Sequence, residues 1–197
     1  MSEITIHFVR HGEVHNPGAV FYARLPRFRL SERGHAEAAA AAQYLAARPL
    51  VAVYHSPMLR ARQTASHISK AHPGATMHQS RFLNEVHTPF QGYTHAQMEA
   101  MHWDMYSNIA PEYERPPDIL RRIQSFCDRA ARTYPGTEVA AVTHGDVVVF
   151  AQLWARGLPP TQEHRMSIRP YPATASVTTL HLNARGGPER WSFAQTW

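Results

Sequence analysis

The sequence predicts an α/β protein, a three-layer sandwich whose central sheet is mainly parallel and carries helices on both faces. Three observations lead there. Short apolar runs that read as buried strands alternate with helix-patterned segments, which is the pattern of a parallel sheet covered on both sides. Two of these runs end alike, Phe8-Val9-Arg10-His11-Gly12 and Ala141-Val142-Thr143-His144-Gly145, as neighbouring parallel strands delivering side chains to one sheet edge would. The length of 197 residues is enough to bury a core without metals or disulfides, so one domain over residues 1–197 is expected, with no internal repeat.

Ile4 to Val9 is the first strand. Residues 12–30 then form a loop rich in Pro, Gly, Arg and aromatics, longer than a plain strand-to-helix connection and therefore a functional candidate. Ser31 caps a helix that runs through the alanine stretch 38–42 and ends near Arg48 before Pro49, with Tyr44 and Leu45 extending its apolar face. Leu50 to Tyr54 is a second strand, and Pro57 after it starts a helix carrying Arg60, Arg62 and Ile68. Ala75 to Gln79 can hold a strand, whereas Pro89 and Gly92 make Phe82 to Tyr93 irregular. A helix from about Thr94 to Ser107 brings Met98, Met101, Trp103 and Met105, which belong to core or lid rather than to a cofactor box. The next, Pro117 to Tyr134, spaces Ile119, Leu120, Ile123 and Phe126 helically.

Glu138 to Thr143 is the most apolar strand, and Val147 to Trp154 opens a helix closed by Gly157. Ala175 to Leu182 alternates as a strand, and the turn Asn183 to Pro188 leads into a last one at Arg190 to Phe193. Residues of about 86–113 are expected to form a lid or insert. With the 12–30 loop, this segment walls the substrate pocket and supplies Phe21, Tyr22, Arg24, Phe90 and Tyr93.

A single cysteine, Cys127, excludes an intrachain disulfide and with it a secreted disulfide scaffold. No segment approaches the ~20 apolar residues that span a bilayer, and no basic stretch followed by a long apolar run opens the chain, so a cytoplasmic location without membrane partners is expected. The net charge of +5 and pI near 9.7 favour acidic ligands. The arginines are dispersed, Lys70 is the one lysine, and there is no dense basic tail to track a polynucleotide, so nucleic acid is not an expected partner. A homodimer is compatible with the sequence but nothing in it requires one.

The chemistry concentrates at the strand ends. Arg10 supplies a guanidinium suited to an anion, His11 a nucleophile or base, and Gly12 a turn without a Cβ close to a ligand. His144 reaches the same edge if the two strands are neighbours, and Ser56-Pro57-x-x-Arg60 adds a second guanidinium. Two arginines and two histidines around one pocket describe a receptor for a dianionic phosphoryl group. A metal reading of His11, Glu13, His15, His144 and Asp146 fails on geometry. Gly12 in a turn gives residues 11, 13 and 15 no common face, and the His-Glu-x-x-His spacing is absent.

In this order and spacing the chain resembles the histidine phosphatase superfamily, also called phosphoglycerate-mutase-like. The matching stretches are Val9-Arg10-His11-Gly12-Glu13 with Asn16, Leu30-Ser31-x-x-Gly34, Ser56-Pro57-Met58-Leu59-Arg60-Ala61-Arg62-Gln63-Thr64-Ala65, Leu83-Asn84-Glu85 and Val142-Thr143-His144-Gly145. They span about residues 4–155. The resemblance implies that His11 becomes transiently phosphorylated. Arg10, Arg60 and His144 would hold nonbridging oxygens, Asn16 would add a hydrogen bond, and Glu85 would act as proton donor to the leaving group. Tyr22 and Arg24 are candidate substrate contacts, and Glu13 is expected to orient an arginine or backbone. No cofactor and no metal are implied.

Two stretches depart from the commoner family pattern. Val86 to Gly92 replaces the usual glycine- and glutamate-containing run after the acid, and Ala23 to Leu30 replaces a Gly-x-x-Asp-x-Pro-Leu run. The expected activity is hydrolysis of a small phosphate monoester. A phosphomutase with the same residues is the alternative among enzymes, disfavoured because glycolytic mutases of the family are typically longer. A non-catalytic phospho-ligand or protein-binding module on the same fold is the alternative from another class.

Overall fold

The structure, a computed structural model, describes residues 3–197. Six strands form one sheet: β1 (Ile4–Arg10), β2 (Leu50–His55), β3 (Thr76–Gln79), β4 (Glu138–Thr143), β5 (Val177–Leu182) and β6 (Pro188–Ala194), in the spatial order β3-β2-β4-β1-β5-β6. The first four are mutually parallel, while β5 runs antiparallel to both β1 and β6. The sheet is therefore mostly parallel and flanked by helices, as the sequence predicts. β4 lies directly beside β1, with Arg10 opposite Thr143, so His11 and His144 leave the same edge together.

The strand period separates two cores. On β1, Ile4, Ile6 and Phe8 face one side, where β4 adds Val139 and Ala141 and the helices α4 (Pro116–Thr133) and α5 (Gly145–Ala155) add Ile119, Ile123, Phe126 and Phe150. Val9, Val53, Ala140 and Val142 face the other, against Ala41 and Leu45 of α1 (Glu32–Leu45) and Ala65 and Ile68 of α2 (Leu59–Ala71). The alanines of α1 serve close approach to the sheet. Tyr44, expected on the apolar face, is instead turned to solvent.

Ser31 caps α1 as predicted, its Oγ accepting from Gly34 N at 2.9 Å. Gly34 has a second function. A Cβ on Gly12 would overlap the Gly34 carbonyl, and one on Gly34 would overlap the Glu13 backbone, so these two glycines let α1 press onto the turn after β1.

Two local expectations need correction, and two short elements stand where none is predicted. The helix after β2 begins at Leu59, not Pro57: the chain still bends at 57–58, where Ser56 Oγ accepts from Met58 N at 3.3 Å. The helix expected over 94–107 is only α3 (His95–Ala100), closed by His102 and Trp103 at φ 51° and 54°, left-handed values that no helix continues through. A 3₁₀ turn, Arg81–Leu83, interrupts the stretch read as irregular. The short helix α6 (Gln162–Ser167), capped by Thr161, lacks the apolar period that reveals longer ones. Among the described residues no helix is long and apolar enough to cross a membrane.

Candidate active site

His11 is almost fully buried, and its Nδ1 stands 2.8 Å from the Gly12 carbonyl. A carbonyl only accepts, so Nδ1 carries the proton and Nε2 keeps its lone pair. Arg60 Nε donates to that lone pair at 3.2 Å, while Arg60 Nη2 donates to Ala23 O at 2.7 Å and lies 3.2 Å from His144 Nδ1. The histidine rings meet edge to face with centroids 5.2 Å apart. Burial, and then the charges of Arg60 and Arg10, hold His11 neutral to well below the usual imidazole range, although the Gly12 bond opposes them. His144 is depressed likewise, by burial first and Arg60 next.

The His144 Nε2 is 2.7 Å from Ser56 Oγ. A hydroxyl can donate or accept, so Ser56 serves either tautomer. When it donates, the His144 proton sits on Nδ1 and faces Glu85 Oε2; when it accepts, Nδ1 is bare and takes an Arg60 Nη2 proton. Ser56 is thus a site residue that the motif contained without revealing its task.

Arg10 Nη1 donates to Pro172 O at 2.6 Å and its guanidinium lies 5.2 Å above the Tyr171 ring, yet its buried Nε has no hydrogen-bond partner. An orphaned buried donor beside an imidazole is what an anion would satisfy. Glu85 closes the group: Oε1 accepts from Val86 N at 2.8 Å, and Oε2 lies 3.5 Å from His144 Nδ1 and 4.0 Å from Arg60 Nη2. Burial raises its pKa above the ordinary carboxylate value. Arg60 pulls the other way, with Asp146 adding to the rise.

A cavity of about 340 Å³ opens onto Arg10, His11, Tyr22 and Glu85. Arg60 and His144, almost fully buried, touch the His11 ring without lining the cavity themselves. Tyr22 sits 4.6 Å over the Arg60 guanidinium and stacks on Phe28 at 5.1 Å. Asn16 and Arg24 are placed elsewhere. The Asn16 amide closes its own loop, donating to Val20 O at 2.8 Å. Arg24 donates to the Glu85 carbonyl at 2.6 Å and to Glu114 at 2.8 Å, so it touches the backbone of the acidic residue rather than the cavity. Phe90 and Tyr93 pack on each other outside the lining, and it is His95, Trp103 and Met105 that the 86–113 segment supplies. Glu13 accepts from Ser31 Oγ at 2.8 Å and pairs with Arg33, away from the reacting groups. Among the described residues no three His, Cys, Asp or Glu side chains converge as a metal centre would need.

Sequence reading missed the cavity floor. Asp146, at the start of α5, accepts from Tyr106 Oη (2.8 Å), Arg165 Nε (2.9 Å) and Tyr171 Oη (2.9 Å). These donors come from three separate segments, and a Cβ on Gly145 would collide with the Tyr171 hydroxyl. Asp146→Ala would strand the buried Arg165 charge and two phenols, so we expect a loss of about 3–5 kcal/mol in denaturant unfolding. Asp146→Asn, which keeps the acceptor oxygen, loses less.

The same burial predicts acid sensitivity. In the unfolded chain His11 and His144 protonate near 6.5, whereas folded they stay neutral to lower pH. Below 6.5 the unfolded state binds more protons, so stability falls with falling pH. The loss is up to about 1.4 kcal/mol per pH unit for each histidine until its folded pKa is reached, and above 6.5 there is no slope from them. Glu85, raised on folding, has the opposite sign from 4.5 upward and offsets one histidine's share where the windows overlap. A net fall in the denaturant midpoint from pH 7.5 to 5.5 is expected.

Paired strand-end histidines flanked by two arginines and a buried acid, on a mostly parallel sheet, define a class of phosphoryl-handling α/β proteins. Residues 6–192 match the profile of the histidine phosphatase superfamily (branch 1), and the chain belongs to that family. A relative from Mycobacterium tuberculosis, Rv0525, whose own name is "Uncharacterized protein", is 35% identical over 185 residues, covering 90% of each chain. Among solved structures, Bacillus stearothermophilus YhfR is 25% identical with a TM-score of 0.82, covering 98% of this chain and 96% of that one. Mycobacterial glucosyl-3-phosphoglycerate phosphatase Rv2419c is 24% identical, TM-score 0.79, with 98% of each chain covered. Alpha-ribazole phosphatase from Shigella flexneri is 19% identical, TM-score 0.78, covering 98% and 97%. The last two, at these identities, are likenesses of fold.

Proposed function

We propose that this protein is a phosphatase that hydrolyses a small phosphate monoester through a phosphohistidine on His11, without metal or cofactor. The observation that carries the reading is the His11 imidazole. Its Nδ1 proton is fixed on the Gly12 carbonyl, and its Nε2 lone pair takes a single donor, Arg60 Nε. Phosphatases among proteins of the same fold support it.

An incoming phosphoryl oxygen competes for Arg60 Nε and so frees Nε2 for in-line attack. Arg10, with its orphaned Nε, and Arg60 hold the nonbridging oxygens, and His144 in its Nδ1–H form adds a donor. An N–P bond forms as the ester P–O bond breaks, and protonated Glu85 passes its proton to the leaving oxygen. Water then attacks phosphorus, Glu85 takes a proton back, and His11 and inorganic phosphate are released.

The test is phosphate release from an aryl phosphate and a panel of phosphorylated metabolites with chelator present, together with alkaline detergent quench of the enzyme on labelled substrate. Turnover with an acid-labile, base-stable phosphoprotein is expected. Loss of turnover on chelation, or no turnover of any ester, would sink the reading.

A further inference from the structure

The cavity continues past the reacting groups, and its far wall has a chemistry of its own. Val20, Phe21, Trp103, Met105 and Met166 make it apolar and aromatic. Its polar side chains are mostly donors, the exception being the His95 ring, which can give or take a hydrogen bond. Arg169 reaches it with a guanidinium bonded only to the neighbouring Ile168 carbonyl, at 3.1 Å. Among the described residues no acceptor takes the Trp103 indole N–H. The one carboxylate of this wall, Asp146, already accepts from Tyr106, Arg165 and Tyr171, and Arg165 is spent on that ion pair.

Trp103 is placed there against local preference. His102 and Trp103 are consecutive left-handed residues, neither a glycine, a conformation that persists only when its surroundings enforce it. The enforcing contacts come from α6, where Gln162 Nε2 donates to the Trp103 carbonyl at 2.9 Å and Arg165 Nη1 reaches it at 3.4 Å. Phe21 and His95 meet the indole edge to face, with centroids 6.2 and 5.5 Å away.

From this wall we infer that the alcohol half of the substrate is a flat, apolar, aromatic-type group carrying a second anion, such as a carboxylate, that pairs with Arg169. The inference rests on the phosphatase reading and refines it. A polyhydroxylated alcohol would bring several hydroxyl protons to a wall whose uncommitted acceptor is the His95 ring, and would leave most of them unpaired on desolvation. An aromatic group loses nothing there and buries its faces against Trp103 and Phe21.

The experiment compares three phosphate esters of primary alcohols on the full chain, so that leaving-group basicity is similar: 4-carboxybenzyl phosphate, benzyl phosphate and glucose 6-phosphate. We expect kcat/KM to fall in that order, roughly fivefold at the first step, as for a partly exposed ion pair, and about tenfold or more at the second. Arg169→Gln removes the fivefold advantage of 4-carboxybenzyl over benzyl phosphate. Trp103→Phe weakens both aromatic esters more than the sugar ester. Calorimetric affinities of the matching non-hydrolysable phosphonates follow the same order. Ordered phosphonate binding without turnover would overturn the phosphatase reading and keep the subsite. Equal or better use of glucose 6-phosphate, or an Arg169→Gln variant that discriminates as wild type does, would overturn the subsite.

Discussion

His11→Ala is expected to lose turnover of every ester by on the order of 10⁴-fold or more and to give no acid-labile phosphoprotein, while remaining folded by circular dichroism. The size of the effect follows from how little else in the cavity could substitute. Arg10 and Arg60 are cations with no lone pair to offer, His144 is fully buried and does not line the cavity, and His95 lines it beside Trp103 rather than among the arginines. The pH profile gives an independent check. Attack needs Nε2 unprotonated, and burial with the Arg60 and Arg10 charges keeps it so to well below 6.5. The acid limb of kcat/KM in the wild type therefore lies below 6.5, and activity persists where a free imidazole would already be protonated. A His11→Ala variant that still hydrolyses esters at wild-type rate would remove His11 from the chemistry.

Much of this site was legible in the sequence because strands deliver their terminal residues predictably. Arg10, His11 and His144 follow apolar runs whose pairing is forced once both are buried in a parallel sheet, and the register of Arg10 against Thr143 brings them together. Arg60 was legible through its block, which fixes it in the first turn of α2. What was not legible depends on contacts without local pattern. Nothing about His102 or Trp103 announces a left-handed pair, since the side chains of α6 impose that conformation from about sixty residues away. Asp146 stands in the sequence only among the ligand types of the rejected metal reading, because its donors Tyr106, Arg165 and Tyr171 are scattered along the chain. Arg24 and Asn16 show the converse. Both sit in the expected loop, but the loop folds back, so one side chain meets the Glu85 backbone and the other its own turn.

Glu85→Gln should cost about 10²- to 10⁴-fold in kcat on benzyl phosphate, whose alkoxide needs a proton, and much less in the first step on an aryl phosphate whose leaving phenolate does not. The amide keeps the shape and can still accept from Val86 N, but it can neither give nor take a proton. On the aryl ester the variant should therefore form the phosphohistidine and then stall. The expected signature is a burst of phenolate near one equivalent, followed by slow release and an accumulated phosphoprotein. The sign of the pH effect follows from burial: a carboxyl raised above 4.5 stays protonated further toward neutrality, so wild-type activity on benzyl phosphate declines as pH rises through that raised value. Glu85→Gln loses this limb. Glu114 bears on the same limb from a distance. It accepts from Arg24 (2.8 Å), His87 N (2.7 Å) and Arg122 Nε (2.8 Å), and Arg24 holds the Glu85 carbonyl, so the acid is fixed by its backbone while its carboxyl stays free to titrate. A Glu85→Gln enzyme that keeps both its rate on benzyl phosphate and its alkaline limb would mean that the proton comes from another group, and the cavity wall offers His95 as the next side chain to test.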